Sequence, residues 1–372
     1  MFPAVVHPLV ERWHAAARSA LPPGVEVWDG HTHSGSVDPD GFHATAASLL
    51  ASLDRAGHAG AVLFTNADPH GYRATNDRIL HEAAESGGRL IPFARIDPTS
   101  SVAADEAARC LREGHRGFKL HPRSERFTID HPGVAKVAAL AAERKVPIVV
   151  HAGRGIPAMG EAVLTLIDDN PGLVLILAHA GISDLTWIAR ESRARPGLMF
   201  DTSWWNASDL AFLFANVDVS QIVYASDMPY WDPEVSATLA TRSALQAGVT
   251  GSALGAVFGG NLKRALEGRA RPATMGLGLP GYADPLLLRV AANLYTALGT
   301  AFSGTVIPEG MDLAMRAATA GPTPHEGLLR AIRATIEAAS VLRGEHPFEA
   351  IGLLMIACSA ALTPTAPVPE VG

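Results

Sequence analysis

Eight short apolar or β-branched runs, recurring at roughly 24 to 35 residues, limit what this chain can fold into. They are VEVWDGHTH (25–33), GAVLFTN (60–66), LIPFARIDP (90–98), GFKLHP (117–122), PIVVHAG (147–153), LVLILAHAG (173–181), LMFDTS (198–203) and QIVYASDMP (221–229). Between them lie Ala-rich stretches such as FHATAASLLASLDRAG and HPGVAKVAALAAERK, with apolar residues at i, i+3 and i+4 and several terminal glycines. Strands alternating with helices imply right-handed βαβ units and a parallel sheet. Eight such units predict an α/β fold, a closed (β/α)8 TIM barrel over residues 25–270, preceded by a helical lead-in at 1–24. The alternative, an open doubly wound sheet, would carry a Gly-rich phosphate loop after its first strand. DGHTHSG does not fit that fingerprint.

After about residue 270 the pattern changes. RPATMGLGLPGYADP (271–285) reads as a linker, and the residues beyond it predict three or four helices, an all-helical appendage spanning 271–372. Its most apolar segment, IGLLMIACSAAL (351–362), is too short to span a membrane and reads as a buried helix. The last residues, TPTAPVPEVG, are expected to be disordered.

The formal charge of −7, without a basic cluster, argues against nucleic acid as a partner. Two cysteines far apart, Cys110 and Cys358, make neither a disulfide framework nor a cysteine zinc site. With Glu11 and Arg12 interrupting any apolar leader, a reducing, cytoplasmic setting is the expectation.

In a (β/α)8 barrel the chemistry sits at the C-terminal ends of the strands. Those positions hold His31 and His33, Lys119 and His121, His151, His179 and Asp227. His31 and His33 are two residues apart in a strand, so both imidazoles aim at one point. Neutral imidazole and carboxylate are ligands for divalent metals. The bland reading is a polar turn for the first pair and single satisfied core histidines for the others. Metal-ligating side chains at the same end of five separate strands favour a metal site. Arg95 and Arg154 could each clamp a substrate carboxylate or make a structural ion pair. Trp204, Trp205, Tyr230 and Trp231 could wall a pocket or pack under the helical appendage. Asn261, in GNLKRALEG, is expected to hydrogen-bond backbone and to do no chemistry.

The motifs DGHTH, GFKLHP, VVHAG, LAHAG, FDTS, ASDMP and GNLKRALEG, in this order over roughly residues 25 to 268, resemble the amidohydrolase superfamily. The similarity is to the amidohydrolase-related branch that includes aminocarboxymuconate-semialdehyde decarboxylase. It implies that His31, His33, His151 and Asp227 hold one or two divalent ions per chain, with zinc expected. His179 is then a second metal ligand or a general acid/base. Lys119 is either carboxylated and bridges two ions, or stays an amine beside one. Asp227 would accept the proton of a metal-bound water. The first expectation is a hydrolase that cleaves an amide, lactone or ester of a small molecule, with Arg95, His121, Arg154 and Trp204 around the substrate. The alternative is a metal-dependent, non-oxidative decarboxylase of a small unsaturated or aromatic acid. A non-enzymatic barrel with an interacting tail would predict broken ligand positions, and none is broken. The helical extension could cover the barrel mouth or build a homo-oligomer.

Overall fold

In a computed structural model, the structure describes residues 6–36, 38, 41–269, 284–319 and 321–371. Most of the segment read as a linker, residues 271–283, lies outside the described residues.

The eight runs become nine strands: β1 (Trp28–Ser34), β2 (Gly60–Thr65), β3 (Leu90–Pro92), β4 (Ala94–Arg95), β5 (Phe118–Leu120), β6 (Ile148–Val150), β7 (Leu175–Leu177), β8 (Leu198–Asp201) and β9 (Ile222–Val223). The third run breaks at Phe93, where it changes partner. β3 pairs with β2, β4 pairs with β5, and the Phe93 amide still reaches Leu63 O at 2.9 Å. All neighbours are parallel. The circle closes between β1 and the segment after β9. Gly30 N donates to Tyr224 O (2.9 Å), Asp227 N to His31 O (2.9 Å) and His33 N to Met228 O (2.7 Å). Gly30 is needed there, since a Cβ would lie 2.8 Å from Val223 Cγ1. These bonds exclude the open sheet.

Strand register sorts the side chains. Arg95, Lys119, Val149, Ile176 and Met199 form one row across β4 to β8. Val149, Ile176 and Met199 join Val62, Phe64, Phe93 and Val223 in the core inside the barrel. The preceding residues Phe118, Ile148, Leu175 and Leu198 face the other way, into the core shared with the outer helices. Leu262 and Ala265, from helix Asn261–Leu266, belong to the inner core and cap its N-terminal end. Asn261 Nδ2 donates to Val219 O (2.8 Å) and Ile222 O (2.7 Å), the backbone role its motif suggested.

The C-terminal helices are Pro285–Ala297, Pro308–Ala318, Glu326–Leu342 and Pro347–Leu362. The last is buried along almost its whole length, from Ala350 to Ala361. Among the described residues no helix is long and apolar enough to cross a membrane. This helix packs on the barrel helices Ala207–Asn216 and Pro233–Gln246 and on the lead-in helix Pro8–Arg18. Extension and outer barrel thus share one apolar core. Two polar contacts pin it. Trp13 Nε1 donates to Thr335 Oγ1 at 2.9 Å. Arg242, fully buried and 4.9 Å above the Trp13 ring, donates to Thr363 Oγ1 (3.0 Å), Thr363 O (2.9 Å) and Pro367 O. Burial lowers the pKa of its guanidinium to about 9. The expectation of a disordered terminus is corrected here. Thr363 and Ala366 are buried and Thr365 Oγ1 donates to Gln246 Oε1 at 2.7 Å.

Candidate metal centre

His31 and His33 converge as their spacing requires, with Nε2 atoms 3.2 Å apart. The β1–β2 register shifts between Asp29 and Thr32, a bulge that re-aims the strand just before the pair. Asp227 comes from the loop after β9 and places Oδ1 3.1 Å from His31 Nε2 and 3.2 Å from His33 Nε2. Nitrogen and oxygen ligands bind a zinc-sized ion at about 2.0–2.2 Å, so ligands of one ion stand roughly 3 Å apart. The three atoms fit a single divalent ion in both chemistry and spacing.

Asp201 sets the tautomer of His31. Its Oδ2 lies 2.8 Å from His31 Nδ1, which keeps the proton there and leaves the Nε2 lone pair aimed at the centre. Its Oδ1 accepts from the amides of His179 and Ser203 (both 2.9 Å) and from the Ser203 hydroxyl (2.5 Å). Asp29, two residues before His31 on β1, holds backbone amides and no ring. Its Oδ1 accepts from His31 N (3.1 Å) and Ser226 N (3.0 Å), and burial raises its pKa to about 7.

His179 adjoins this group. The ligand atoms of His31, His179 and Asp227 lie within 4.8 Å of one another. His179 Nδ1 donates to Ser203 O (2.8 Å) and stands 3.9 Å from Asp227 Oδ2, while its Nε2 is 3.0 Å from His151 Nδ1. Burial lowers its pKa to about 4, so it is neutral at neutral pH. Both His179 (φ 57°) and Asp227 (φ 64°) adopt the left-handed backbone conformation that side-chain-bearing residues avoid. Strain of this kind, of order 1–3 kcal/mol per residue, concentrates at functional sites. Gly153 makes room for both imidazoles, since a Cβ there would lie 2.7 Å from His179 Cδ2 and 3.1 Å from His151 Cε1.

His151 reaches the cluster through His179, and its ring stacks on His121 with centroids 4.0 Å apart. Lys119 is fully buried. Its Nζ is 3.0 Å from His31 Nε2 and 4.6 Å from the centre of the Phe64 ring. Burial lowers its pKa to about 7 against the opposing pull of Asp227 and Asp201.

The remaining candidates separate. Arg95 is engaged by Glu125, with Nη2–Oε1 at 2.8 Å, and is not open to solvent. Arg154 is exposed in the loop after β6, and its carbonyl accepts from His151 Nε2 at 3.3 Å. Trp204 is half-buried with its ring 6.3 Å from that of His179, whereas Trp205 lies 6.4 Å from Tyr295 of the extension. The Tyr230 ring meets that of His33 edge-on at 5.4 Å, and its hydroxyl bonds Asp38. The sequence patterns do not single out Asp201, Ser203, Asp29 or Glu125. Asp201 nevertheless satisfies the same strand-end rule as the ligands, and this signal is present in FDTS.

A family model described as amidohydrolase matches residues 28–266. No curated protein matches the chain by sequence. Among solved structures, it is similar to 2,6-dihydroxybenzoate decarboxylase from Rhizobium (16% identity, TM-score 0.52, covering 65% of this chain and 98% of that one). It is also similar to a dihydroxybenzoic acid decarboxylase from Polaromonas sp. JS666 with bound manganese and the inhibitor 2-nitroresorcinol (16%, TM-score 0.54, 65% and 97%). A third is 5-carboxyvanillate decarboxylase from Sphingomonas paucimobilis (14%, TM-score 0.51, 66% and 99%). At these identities the likeness speaks to the fold. The family match covers the strands that carry every candidate ligand, and on it the chain belongs to the amidohydrolase family of metal-dependent barrel enzymes.

Proposed function

We propose that this chain is a metal-dependent, non-oxidative decarboxylase of a small aromatic or unsaturated acid. One observation carries the reading: His31, His33 and Asp227 form a single group of ligand atoms 3.1–3.2 Å apart, sized for one ion. The resemblance to the decarboxylase branch implies such a one-metal site. The similar solved structures named above are decarboxylases, which supports this alternative over the hydrolase first expected. Manganese in one of them leaves the metal open between zinc and manganese.

When bound, the ion would polarise the oxygens of the acid and fix its orientation. Loss of CO2 breaks the bond between the carboxylate and the ring or alkene carbon. The electron pair stays on that carbon, which must take up one proton. Asp227 can serve both needs: Oδ1 lies among the imidazoles, whereas Oδ2 faces His179 and can carry the proton. Neutral His179, its Nδ1–H committed to Ser203 O, stands 3.9 Å from that oxygen and adds no competing charge. Trp204 and Tyr230 would wall an aromatic substrate.

Metal analysis and product analysis test this together. The expected result is about one divalent ion per chain, with CO2 released from 2,6-dihydroxybenzoate or a related acid. About two ions, a carboxylated Lys119 seen by 13C NMR, and lactone hydrolysis without CO2 release would overturn it.

A further inference from the structure

We propose that Glu125 occupies the binding place of a substrate carboxylate, and that Arg95 is the cation it exchanges onto an incoming acid. The inference rests on the acid-substrate reading above and adds the site that recognises the acid. Arg95 belongs to the interior row of the barrel, paired in register with Lys119, so it faces the chamber that holds the metal ligands. Its guanidinium is held by Glu125 Oε1, at 2.8 Å from Nη2 and 3.2 Å from Nε, and by Thr65 O at 3.3 Å from Nη1. The Tyr72 ring lies 5.1 Å from the guanidinium, and its hydroxyl donates to the same Oε1.

This pairing is lopsided. Three donors crowd onto Oε1, whereas Oε2 is buried without a hydrogen-bond partner. An arginine fork and a carboxylate designed only to neutralise each other usually meet through two oxygens. A buried carboxylate oxygen left unpaired is costly, and native structures keep such groups rare. Glu125 is also badly placed for a permanent counter-ion. It ends the four-residue helix Pro122–Glu125, and the next residue, Arg126, has φ 55°. Arg123, Ser124 and Arg126 are exposed, while the Glu125 side chain is 5% accessible. Rotation of that one side chain would take its carboxylate to water without moving a strand. The helix begins directly after His121, which stacks on His151, so its carrier adjoins the metal cluster.

Exchange replaces one carboxylate with another, so the guanidinium is never left unpaired in the interior. The Arg95 fork and the Tyr72 hydroxyl then face the acid. A neutral analogue offers no charge to compensate Arg95 and gains nothing from the exchange.

Benzoate, with benzamide as its neutral counterpart, tests this in the metal-loaded protein by calorimetric titration. Glu125→Gln keeps the shape and removes the competing charge. It should tighten benzoate binding by about tenfold, as removal of a competing resting state does, and leave benzamide unchanged. Arg95→Gln should weaken benzoate and reduce its preference over benzamide, leaving only the share that the metal supplies. Glu125→Asp, which keeps the charge but retracts it by one methylene from Arg95 and Tyr72, should tighten benzoate by a smaller factor and serves if Glu125→Gln unfolds. Unchanged or weaker benzoate binding in folded Glu125→Gln or Glu125→Asp protein overturns the proposal, as does an equal gain for benzamide. These readouts need no turnover. Charge-selective binding that follows the prediction in a protein that decarboxylates no acid would sink the proposed reaction alone. Decarboxylation with binding indifferent to Glu125 and Arg95 would sink this inference alone.

Discussion

Asp201→Asn separates ligand orientation from ligand identity. The substitution exchanges one oxygen for an NH2 at constant shape. Oδ1 of Asp201 receives three donors, from His179 N, Ser203 N and Ser203 Oγ, so the asparagine must keep its oxygen there. Its NH2 is then forced to the side of His31 Nδ1, 2.8 Å away. Two donors cannot bond, so the imidazole proton moves from Nδ1 to Nε2. That nitrogen lies 3.2 Å from His33 Nε2 and 3.1 Å from Asp227 Oδ1, and once protonated it cannot bind a metal. Loss of an orienting partner of this kind costs about 10–100-fold in metal affinity, or about 1.4–2.7 kcal/mol. No buried donor loses its acceptor on the Oδ1 side, so the metal-free fold should change by less than about 1 kcal/mol. Competition against a chromophoric chelator measures the first quantity, and urea unfolding of metal-free protein the second. Metal affinity within about twofold of the natural protein, with an unchanged urea midpoint, would refute the tautomer argument.

Asp227→Asn should abolish turnover and metal retention, and His151→Ala, which reaches the cluster through His179, should lower turnover with the metal retained, while the far-ultraviolet circular dichroism of both stays unchanged, since both sit at the C-terminal ends of strands. Full turnover by either, at normal metal content, would remove it from the site. Leu354→Ala, in the core of the last helix, should cost about 2–5 kcal/mol in one cooperative urea transition, because extension and barrel share that core. A second, separate transition would show instead that they unfold as two units. Acid should loosen the lead-in helix through His14, whose pKa burial lowers to about 4 from 6.5. The unfolded chain then binds the extra proton, so stability is full above pH 6.5 and falls as pH drops toward 4, by up to about 3 kcal/mol. A His14→Phe variant should lose that share of the slope between pH 7 and 4.5; an equal slope in both proteins would place the acid sensitivity elsewhere.

How far the site is legible in the sequence depends on how local each relation is. His31 and His33 are legible because a two-residue period places both side chains on one face. Asp227 and His179 follow from the strand-end rule, although their backbone conformation does not. Asp201 acts on His31, 170 positions away in the chain, so FDTS shows an acid at a strand end without showing what it does. Arg95 stays between substrate clamp and ion pair, because its partner Glu125 lies on a four-residue helix too short to carry a periodic signal. Composition misleads at the terminus TPTAPVPEVG. Threonine and proline suggest disorder, but the donors that order it come from Arg242, buried on a barrel helix. The preference for hydrolysis leans on Lys119, whose amine suits either reaction.

The bond from Trp13 to Thr335 spans 322 residues. In vectorial synthesis this couples the helix Pro8–Arg18 to a segment that emerges 322 residues later. Until residues 335 to 367 arrive, Trp13 lacks its acceptor and Arg242 lacks the carbonyls of Thr363 and Pro367. The outer faces of two barrel helices stay wet for the same interval. Contacts of such separation slow folding and leave apolar surface open to aggregation while they wait. The barrel can lay down its strands in order, two neighbours at a time, but its last outer seam is sealed only when the C-terminal helix docks.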